Sequence, residues 1–552
     1  MEKPWWKQTV FYEVYMPSFC DGNGDGIGDF IGLTSKLDYL RDLGVRGIWL
    51  TPFYTSPKVD NGYDIADYCQ VDPDFGTMKD FERFIQEAKA RGIRVIADLV
   101  LNHTSSEHAW FKESRSSRTN PKRDWYIWKD AVNGGVPNNW ESFFGGTAWE
   151  WDAATQQYYY HGFAKEQVDL NWANPEVKEA MKEVMAFWLN KGVDGFRLDV
   201  INFLSVSNQF PDNPIDEATG EQKHVNDQDQ NGILDIIREI SEFVHARSGM
   251  FMVGEVGSED MDMLKRYSGN GKLDVVFNFN LGSQKEFSSE NLFRELETME
   301  SVHGTDQIPT LFFGSHDMAR VISRFGEGDA EVDEERARLM ATLALTAKGV
   351  PFLYYGEEIG MRNFIAHNLE DMRDVQGLNA YDIALNQGKT LEEALEIANE
   401  KGRDASRSPM QWNAGLHGGF TSRTPWIGMG PDYEQINVES ALNHSDSLLH
   451  YYKKLLHLRN TQEVFQVGDY TLLERRGHLI LYVRTLKDTH TRALVALNYD
   501  NQSVQINPCE LLDGEAHFVL SSRRDIVSSM ESVTLRPNEA VIWMRKKRES
   551  LK

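Results

Sequence analysis

The chain has 552 residues, 41% hydrophobic and 26% charged, with a formal net charge of −26 at pH 7. Such a length leaves room for roughly two to four domains, and the acidic balance excludes nucleic acid as a partner, because no surplus of Lys and Arg exists to displace counterions from phosphates. Three widely spaced cysteines, Cys20, Cys69 and Cys509, give no basis for a disulfide framework or a zinc site and suit a cytoplasmic setting. The start, MEKPWWKQTV, has no apolar signal core, and no run of about 18 apolar residues follows, so neither export nor a membrane span is expected.

From residue 10, short β-branched and aromatic runs alternate with stretches of helical pattern rich in Glu, Lys and Ala. The predicted strands are Val10 to Tyr15, Gly47 to Leu50, Arg94 to Val100, Gly195 to Leu198, Met250 to Gly254, Val275 to Asn278, Thr310 to Phe313 and Pro351 to Tyr355. Eight strands with helical crossovers predict a (β/α)8 barrel over residues 1–103 and 171–460. The alternation lapses over 104–170, a stretch dense in Trp, Tyr, Asn and Gly and too long for an ordinary loop, which predicts a small inserted domain. A second, helical insertion is expected at about 362–425, and both insertions should overhang one face of the barrel. Residues 461–552 turn to short strands without crossover helices, the pattern of an antiparallel β-sandwich.

Three carboxylates stand where predicted strands stop: Asp199 in GFRLD, Glu255 in FMVGE and Asp317 in LFFGSHD. One acid after a strand is ordinarily a cap or loop residue, but acids at the carboxyl ends of separate barrel strands converge on one pocket. Arg197, two residues before Asp199, shares its face of the strand and can hold it ionised. In DGNGDGIGD, oxygen donors alternate at Asp21, Asn23, Asp25, the Ile27 carbonyl and Asp29. Glycine at the sixth position permits a sharp turn, although Gly32 stands where an EF-hand carries its bidentate Glu. DQDQNGILD, Asp227 to Asp235, looks similar but has Arg238 at its twelfth position and runs into a helical pattern, so it is read as a decoy.

DLVLNH (Asp98 to His103), GFRLD, the Gly254–Glu255 pair and SHD (Ser315 to Asp317) resemble the four central motifs of the α-amylase superfamily, glycoside hydrolase family 13. The resemblance runs on through DNGYDIADY, QVDLNW, GEEIGM and RSPMQW, a set similar to the oligo-1,6-glucosidase, dextran glucosidase and α-glucosidase branch. It implies that Asp199 is a nucleophile, Glu255 a general acid and base whose carboxyl must start protonated, and Asp317 a binder of the 2- and 3-hydroxyls of the glucose in the −1 site. It further implies that His103 and His316 donate to that ring, that Tyr63 stacks on it, and that Phe144 and Phe163 wall it in. Asp60 and Arg407 would pair to shut the pocket beyond the non-reducing sugar, making the enzyme exo-acting. The loop from Asp21 to Asp29 would hold a structural calcium, or magnesium; no organic cofactor is implied.

Val200, after the nucleophile, implies a preference for α-1,6 links such as those of isomaltose, isomaltooligosaccharides and panose, because its branched side chain narrows the +1 site. Val168 in QVDLN, Gly162 to Ala164 in HGFA, Ser315, and Gly257 and Ser258 depart from the branch's usual residues. The segment after Asp199 resembles trehalose-6-phosphate hydrolases, in which Lys165 would be the nearest cation for a phosphate. The expected protein is therefore a monomeric, retaining α-glucosidase acting on small oligosaccharides. Alternatives are a trehalose-6-phosphate hydrolase, an α-1,4-specific glucosidase, a transglucosylase or sucrose isomerase, and a non-catalytic binding protein.

Overall fold

The computed structural model describes residues 4–258, 260–303, 307–523 and 531–545. The first three residues of the amino-terminal segment, and 524–530 and 546–552 of the expected last domain, lie outside that range. Eight parallel strands form one sheet: β1 Phe11–Val14, β2 Gly47–Leu50, β3 Arg94–Val100, β4 Gly195–Asp199, β5 Phe251–Gly254, β6 Val275–Val276, β7 Thr310–Leu311 and β8 Val350–Tyr354. Their order is β6-β5-β4-β3-β2-β1-β8-β7. Apart from β6 and β7, neighbours in sequence pair with one another, and β8 returns to pair with β1 through Phe11 and Phe352. The result is a nearly closed (β/α)8 barrel. No ladder joins β6 to β7; instead the Thr310 hydroxyl receives the Asn278 N–H at 2.9 Å and donates to the Val276 carbonyl at 3.2 Å.

Local sequence explains the crossovers. The helix Met78–Ala90 opens on a capping box between Thr77 and Asp80 and buries Phe81, Phe84, Ile85 and Ala88, the spacing that places one apolar stripe against the sheet. Pro175–Lys191 starts on an Asn174 cap with Pro at its first position and stops at the left-handed Gly192, the asymmetric pair of signals that fixes both ends of a helix. β4 then begins at Gly195, where a Cβ would fall 1.8 Å from the Phe251 carbonyl oxygen, so only glycine lets β4 and β5 approach this closely. Inside the barrel Phe11 stacks on Phe251 at 4.9 Å and on Phe352 at 4.8 Å, part of a buried layer with Trp49, Ile96, Val253 and Phe277.

Within 104–170, Trp128–Lys129, Trp149–Asp152 and Gln157–Tyr160 form a three-stranded antiparallel sheet. Beyond β8 the helices Val375–Asn386 and Leu391–Lys401 reach across to it, Asn379 Nδ2 donating to the Phe144 carbonyl at 3.3 Å. The carboxyl-terminal sheet is antiparallel, with strands Asp469–Arg476, Leu479–Leu486, Thr491–Asn498, Ala540–Arg545 and His517–Ser521 in spatial order, and a separate ribbon pairs Val504–Ile506 with Val533–Leu535. Along Leu479–Leu486 the side chains alternate between its two faces. Leu479, Leu481 and Val483 share a cluster with Ile506, Val533 and Leu535 of the ribbon, whereas Ile480 and Tyr482 join the main core. Arg484, on that barrel-facing side, is buried and donates to the carbonyls of Thr346, Ala347, Phe465 and Gly468 at 2.7, 2.8, 3.1 and 2.8 Å. Among the described residues no helix is long and apolar enough to cross a membrane.

Candidate active site

At the carboxyl ends of the strands lies a cavity of about 210 Å3 lined by Asp60, Tyr63, His103, Phe144, Phe163, Gln167, Asp199, Val200, Glu255, Asp317, Gln376 and Arg403. That volume is small beside the roughly 300–1,000 Å3 of drug-sized ligand pockets and suits a single polar ring. β4 delivers Asp199, and the chain directly after β5 delivers Glu255. The two are locked by their backbones: the Glu255 N–H donates to the Leu198 carbonyl and the Ile201 N–H to the Glu255 carbonyl, both at 2.9 Å. Val200 between them sits at φ 37° and ψ 49°, a left-handed conformation that is strained for a β-branched residue. That kink ends β4 and starts the short turn Ile201–Phe203.

Arg197 is buried beneath the pocket. Its Nη1 donates to Asp199 at 2.5 Å and to Asp98 Oδ1 at 3.0 Å, and its Nη2 donates to Glu255. One planar fork thus orients both acids. Burial pushes Asp199 up to about 7 against the pull of Arg197. Burial pushes Glu255 further, to about 8, with Arg197 opposing and Asp199 and Asp317 adding to the rise. Of the pair, Glu255 therefore holds a proton more firmly. Asp317 behaves oppositely: burial works against its charge, but His316, Arg403 and Arg407 together hold it well below the usual carboxylate range. The site combines a carboxylate kept charged, a carboxyl kept protonated and a third acid between them, which is the equipment of acid-assisted displacement at a sugar carbon.

The remaining expected residues fall into two layers. Tyr63, His103, Phe144, Phe163 and Val200 line the cavity, while His316 stands behind it, stacked on Tyr63 at 5.3 Å with its Nε2 2.7 Å from the Tyr63 hydroxyl. His103 is kept neutral by burial, which lowers it to about 4. Its Nε2 lies 3.1 Å from the Tyr63 carbonyl, so the donor expected to serve a sugar is already engaged.

The expected Asp60–Arg407 pair does not form. Asp60 pairs instead with Arg403, whose Nη2 is 2.5 Å from Asp60 Oδ1 and 2.5 Å from Asp374 Oδ1. Arg407 follows the tight turn Asp404–Ser406 and is directed inward, where Nε donates to the His316 carbonyl and Nη2 to Asp317, both at 2.9 Å. The two arginines stand four residues apart, one turn of chain, and nothing in their immediate sequence says which faces the pocket.

Gln167, Gln376 and Arg403 line the cavity without having been singled out in the sequence, and Asp98, Asp374 and Glu13 support it from behind. Gln167 Nε2 donates to Asp60 at 3.0 Å. A lone acid inside an apolar strand, as at Glu13 in FYEV and Asp98 in RVIADLV, is the signal that could have marked two of these, since a buried charge needs a partner.

In the loop expected to bind a cation, Asp21 accepts from the backbone of Gly24 and Gly26 and from the Thr421 hydroxyl, Asp25 from Ile27, and Asp29 from Gly22, Asn23 and Gly32. Among the described residues, no three His, Cys, Asp or Glu side chains group as a metal site. The loop is nonetheless shaped by glycine: a Cβ on Gly22, Gly26, Gly28 or Gly32 would come within 2.3 Å of backbone atoms. Asp21, Asn23, Asp25, the Ile27 carbonyl and Asp29 offer hard oxygen atoms, the donor chemistry that a calcium-class ion takes.

Residues 13–468 match the alpha amylase catalytic domain. The chain belongs to the α-amylase family of glycoside hydrolases. It is 39% identical to the oligo-1,6-glucosidase of Bacillus cereus over 99% of this chain and 100% of that protein. It is also 39% identical to the trehalose-6-phosphate hydrolase of Escherichia coli strain K12, over 98% and 99% of the two chains. The crystal structure of the Bacillus licheniformis trehalose-6-phosphate hydrolase superposes with a TM-score of 0.89 at 39% identity, over 99% of this chain and 100% of that one.

Proposed function

We propose that the protein is a retaining, exo-acting α-glucosidase that releases glucose from the non-reducing ends of short α-glucosides and prefers α-1,6 links. The observation that carries this reading is the placement of Asp199 and Glu255 on one guanidinium, that of Arg197, in a cavity that the paired Asp60 and Arg403 also line. The Asp199 carboxylate attacks the anomeric carbon while the bond to the leaving oxygen breaks and Glu255 gives that oxygen its proton. Glu255, now ionised, takes a proton from water as the water oxygen bonds to the same carbon and the ester to Asp199 breaks, restoring both groups. Asp317, kept charged, accepts hydrogen bonds from ring hydroxyls. The Asp60–Arg403–Asp374 cluster would close the pocket beyond the non-reducing sugar, as an exo-acting enzyme requires.

A trehalose-6-phosphate hydrolase is the second reading, favoured by relatives of that name at equal identity. The cavity speaks for a neutral substrate. Among the described residues lining it, Arg403 is the one cation and is tied to Asp60 and Asp374, while Lys165 is exposed and outside the lining. The deciding experiment is kcat/KM on isomaltose, maltose, sucrose and trehalose 6-phosphate, with D199N as control. Isomaltose should be cleaved fastest, to glucose alone, and D199N should lose about 10^4-fold. A preference for trehalose 6-phosphate overturns the linkage reading, and an active D199N overturns the nucleophile.

We also propose a divalent cation, calcium before magnesium, held by Asp21, Asn23, Asp25, the Ile27 carbonyl and Asp29, where it would brace the loop rather than take part in turnover. Chelation should lower the melting temperature while leaving kcat of the still-folded protein unchanged; an immediate loss of kcat without a change in melting would contradict this.

A further inference from the structure

Glu13 is the one charged residue of β1 and is buried in the barrel wall. Its Oε1 lies 2.5 Å from His316 Nδ1 and accepts the His316 backbone N–H at 3.3 Å. The imidazole cannot turn away, because Tyr63 stacks on it at 5.3 Å and Tyr15 at 5.8 Å, both nearly parallel. With the ring fixed, only its proton has a choice of nitrogen. Nε2 lies 2.7 Å from the Tyr63 hydroxyl and 3.2 Å from Asp317 Oδ2. The Tyr63 hydroxyl is also 3.0 Å from Asp98 Oδ2, a carboxylate oxygen.

Two proton arrangements are conceivable for a neutral ring. With hydrogen on Nδ1, a bare Nε2 faces the Asp317 carboxylate, lone pair to lone pair, and must draw the tyrosine proton away from Asp98. With hydrogen on Nε2, that N–H points at Asp317 and Tyr63, the tyrosine donates to Asp98, and every close contact pairs a donor with an acceptor. The second arrangement needs a donor at Nδ1, and Glu13 is the group there.

We infer that Glu13 is a positioning residue: as a neutral carboxylic acid it donates to His316 Nδ1 and so keeps a proton on Nε2, aimed at Asp317 and at a hydroxyl of the bound ring. The inference rests on the glucosidase reading for its role but not for its geometry. The charged and titratable groups around Glu13 agree with it. Burial raises its carboxyl well above the ordinary value, and Asp317 and Asp98 add to the rise, while Arg197 and the His316 backbone oppose it. Tyr354 and Tyr355, from the β8 side, are both held neutral by burial. His316 itself is pushed down to about 3 by burial, Asp317 opposing.

The test uses the full-length protein in three forms. In the wild type with isotope-labelled histidine, the nitrogen resonances of His316, assigned with H316Q, should show a protonated Nε2 and a bare Nδ1. E13L should lower kcat on isomaltose about tenfold, roughly 1.4 kcal/mol of transition-state stabilisation, with a smaller change in KM, whereas E13Q, whose amide can make the same donation, should restore kcat to within about threefold. A protonated Nδ1 in the wild type overturns the inference, as does full activity in E13L or an E13Q as impaired as E13L. If E13L fails to fold, the resonance measurement still decides. A wild type inactive on every glucoside would overturn the functional reading alone, since the resonances are read without substrate.

Discussion

At the scale of single residues, the pocket separates acids of one kind by their surroundings. Glu255 must be protonated to act and Asp199 ionised, and burial moves Glu255 to about 8 and Asp199 to about 7. As pH rises through about 7, Asp199 gains its charge and kcat/KM climbs; as pH rises past about 8, Glu255 loses its proton and kcat/KM falls. A narrow bell is therefore expected, with limbs belonging to the pair because the two titrations are coupled through Arg197. E255Q, assayed on a nitrophenyl glucoside whose leaving group needs little protonation, should lose the alkaline limb and keep the acid one. A wild-type profile flat across this range would argue against the assignment. Residue types carried much of this in the sequence, because Asp199, Glu255 and Asp317 each close a hydrophobic run. The partner of Asp60 was not legible: Arg403 and Arg407 are alike in chemistry and one turn apart, and Arg407 is turned inward by tertiary contacts, its packing 5.2 Å from the Tyr15 ring centroid and its bonds to the His316 carbonyl and Asp317.

At the scale of elements, the junction after β4 is strained. Val200 holds φ at 37°, which costs a non-glycine residue roughly 1–2 kcal/mol. V200G should relieve that cost, partly offset by about 0.5–1 kcal/mol of chain entropy in the unfolded state, so its melting temperature should equal or slightly exceed that of the wild type. The same change removes a wall of the cavity, and the ratio of kcat/KM for isomaltose over maltose should fall; an unchanged ratio would take Val200 out of substrate selection. The strands themselves were readable in the sequence because each is a mostly apolar run buried on both faces, as a parallel barrel requires, interrupted only by charges such as Glu13, Asp98 and Arg197. β2 and β3 fall on the expected residues, and β6 and β7 are each two residues shorter at the carboxyl end. Phe312 and Phe313 still read as strand by composition but leave the ladder. β-propensity marks side chains that pack well and cannot tell where backbone pairing stops.

At the scale of the whole molecule, the carboxyl-terminal sheet is fastened to the barrel by a polar peg as well as by apolar packing. Arg484 gives its Nη1 and Nη2 to four carbonyls drawn from the ends of two helices, Ala330–Thr346 and Glu463–Val467. R484L would strand those carbonyls in a buried interface, at roughly 3 kcal/mol or more in sum, and should lower the melting temperature by several degrees without changing kcat on isomaltose. A change in kcat instead would mean that the sheet communicates with the pocket. The hydroxyl that bridges β6 and β7 has another consequence. Every other seam of the cylinder is a row of backbone bonds that must break together, but here, among the described residues, the Thr310 side chain bridges β6 and β7 in place of a ladder. The cylinder thus behaves as a rolled sheet fastened at its seam by a button, and its amides should lose their protection against solvent hydrogen exchange first beside Thr310 and last around β2 and β3, the strands farthest from the seam. Asp199, on β4, stands two strands from the seam, whereas Glu255 follows β5, the partner of β6, and Asp317 follows β7, so opening at the seam would reach Asp317 and Glu255 before Asp199.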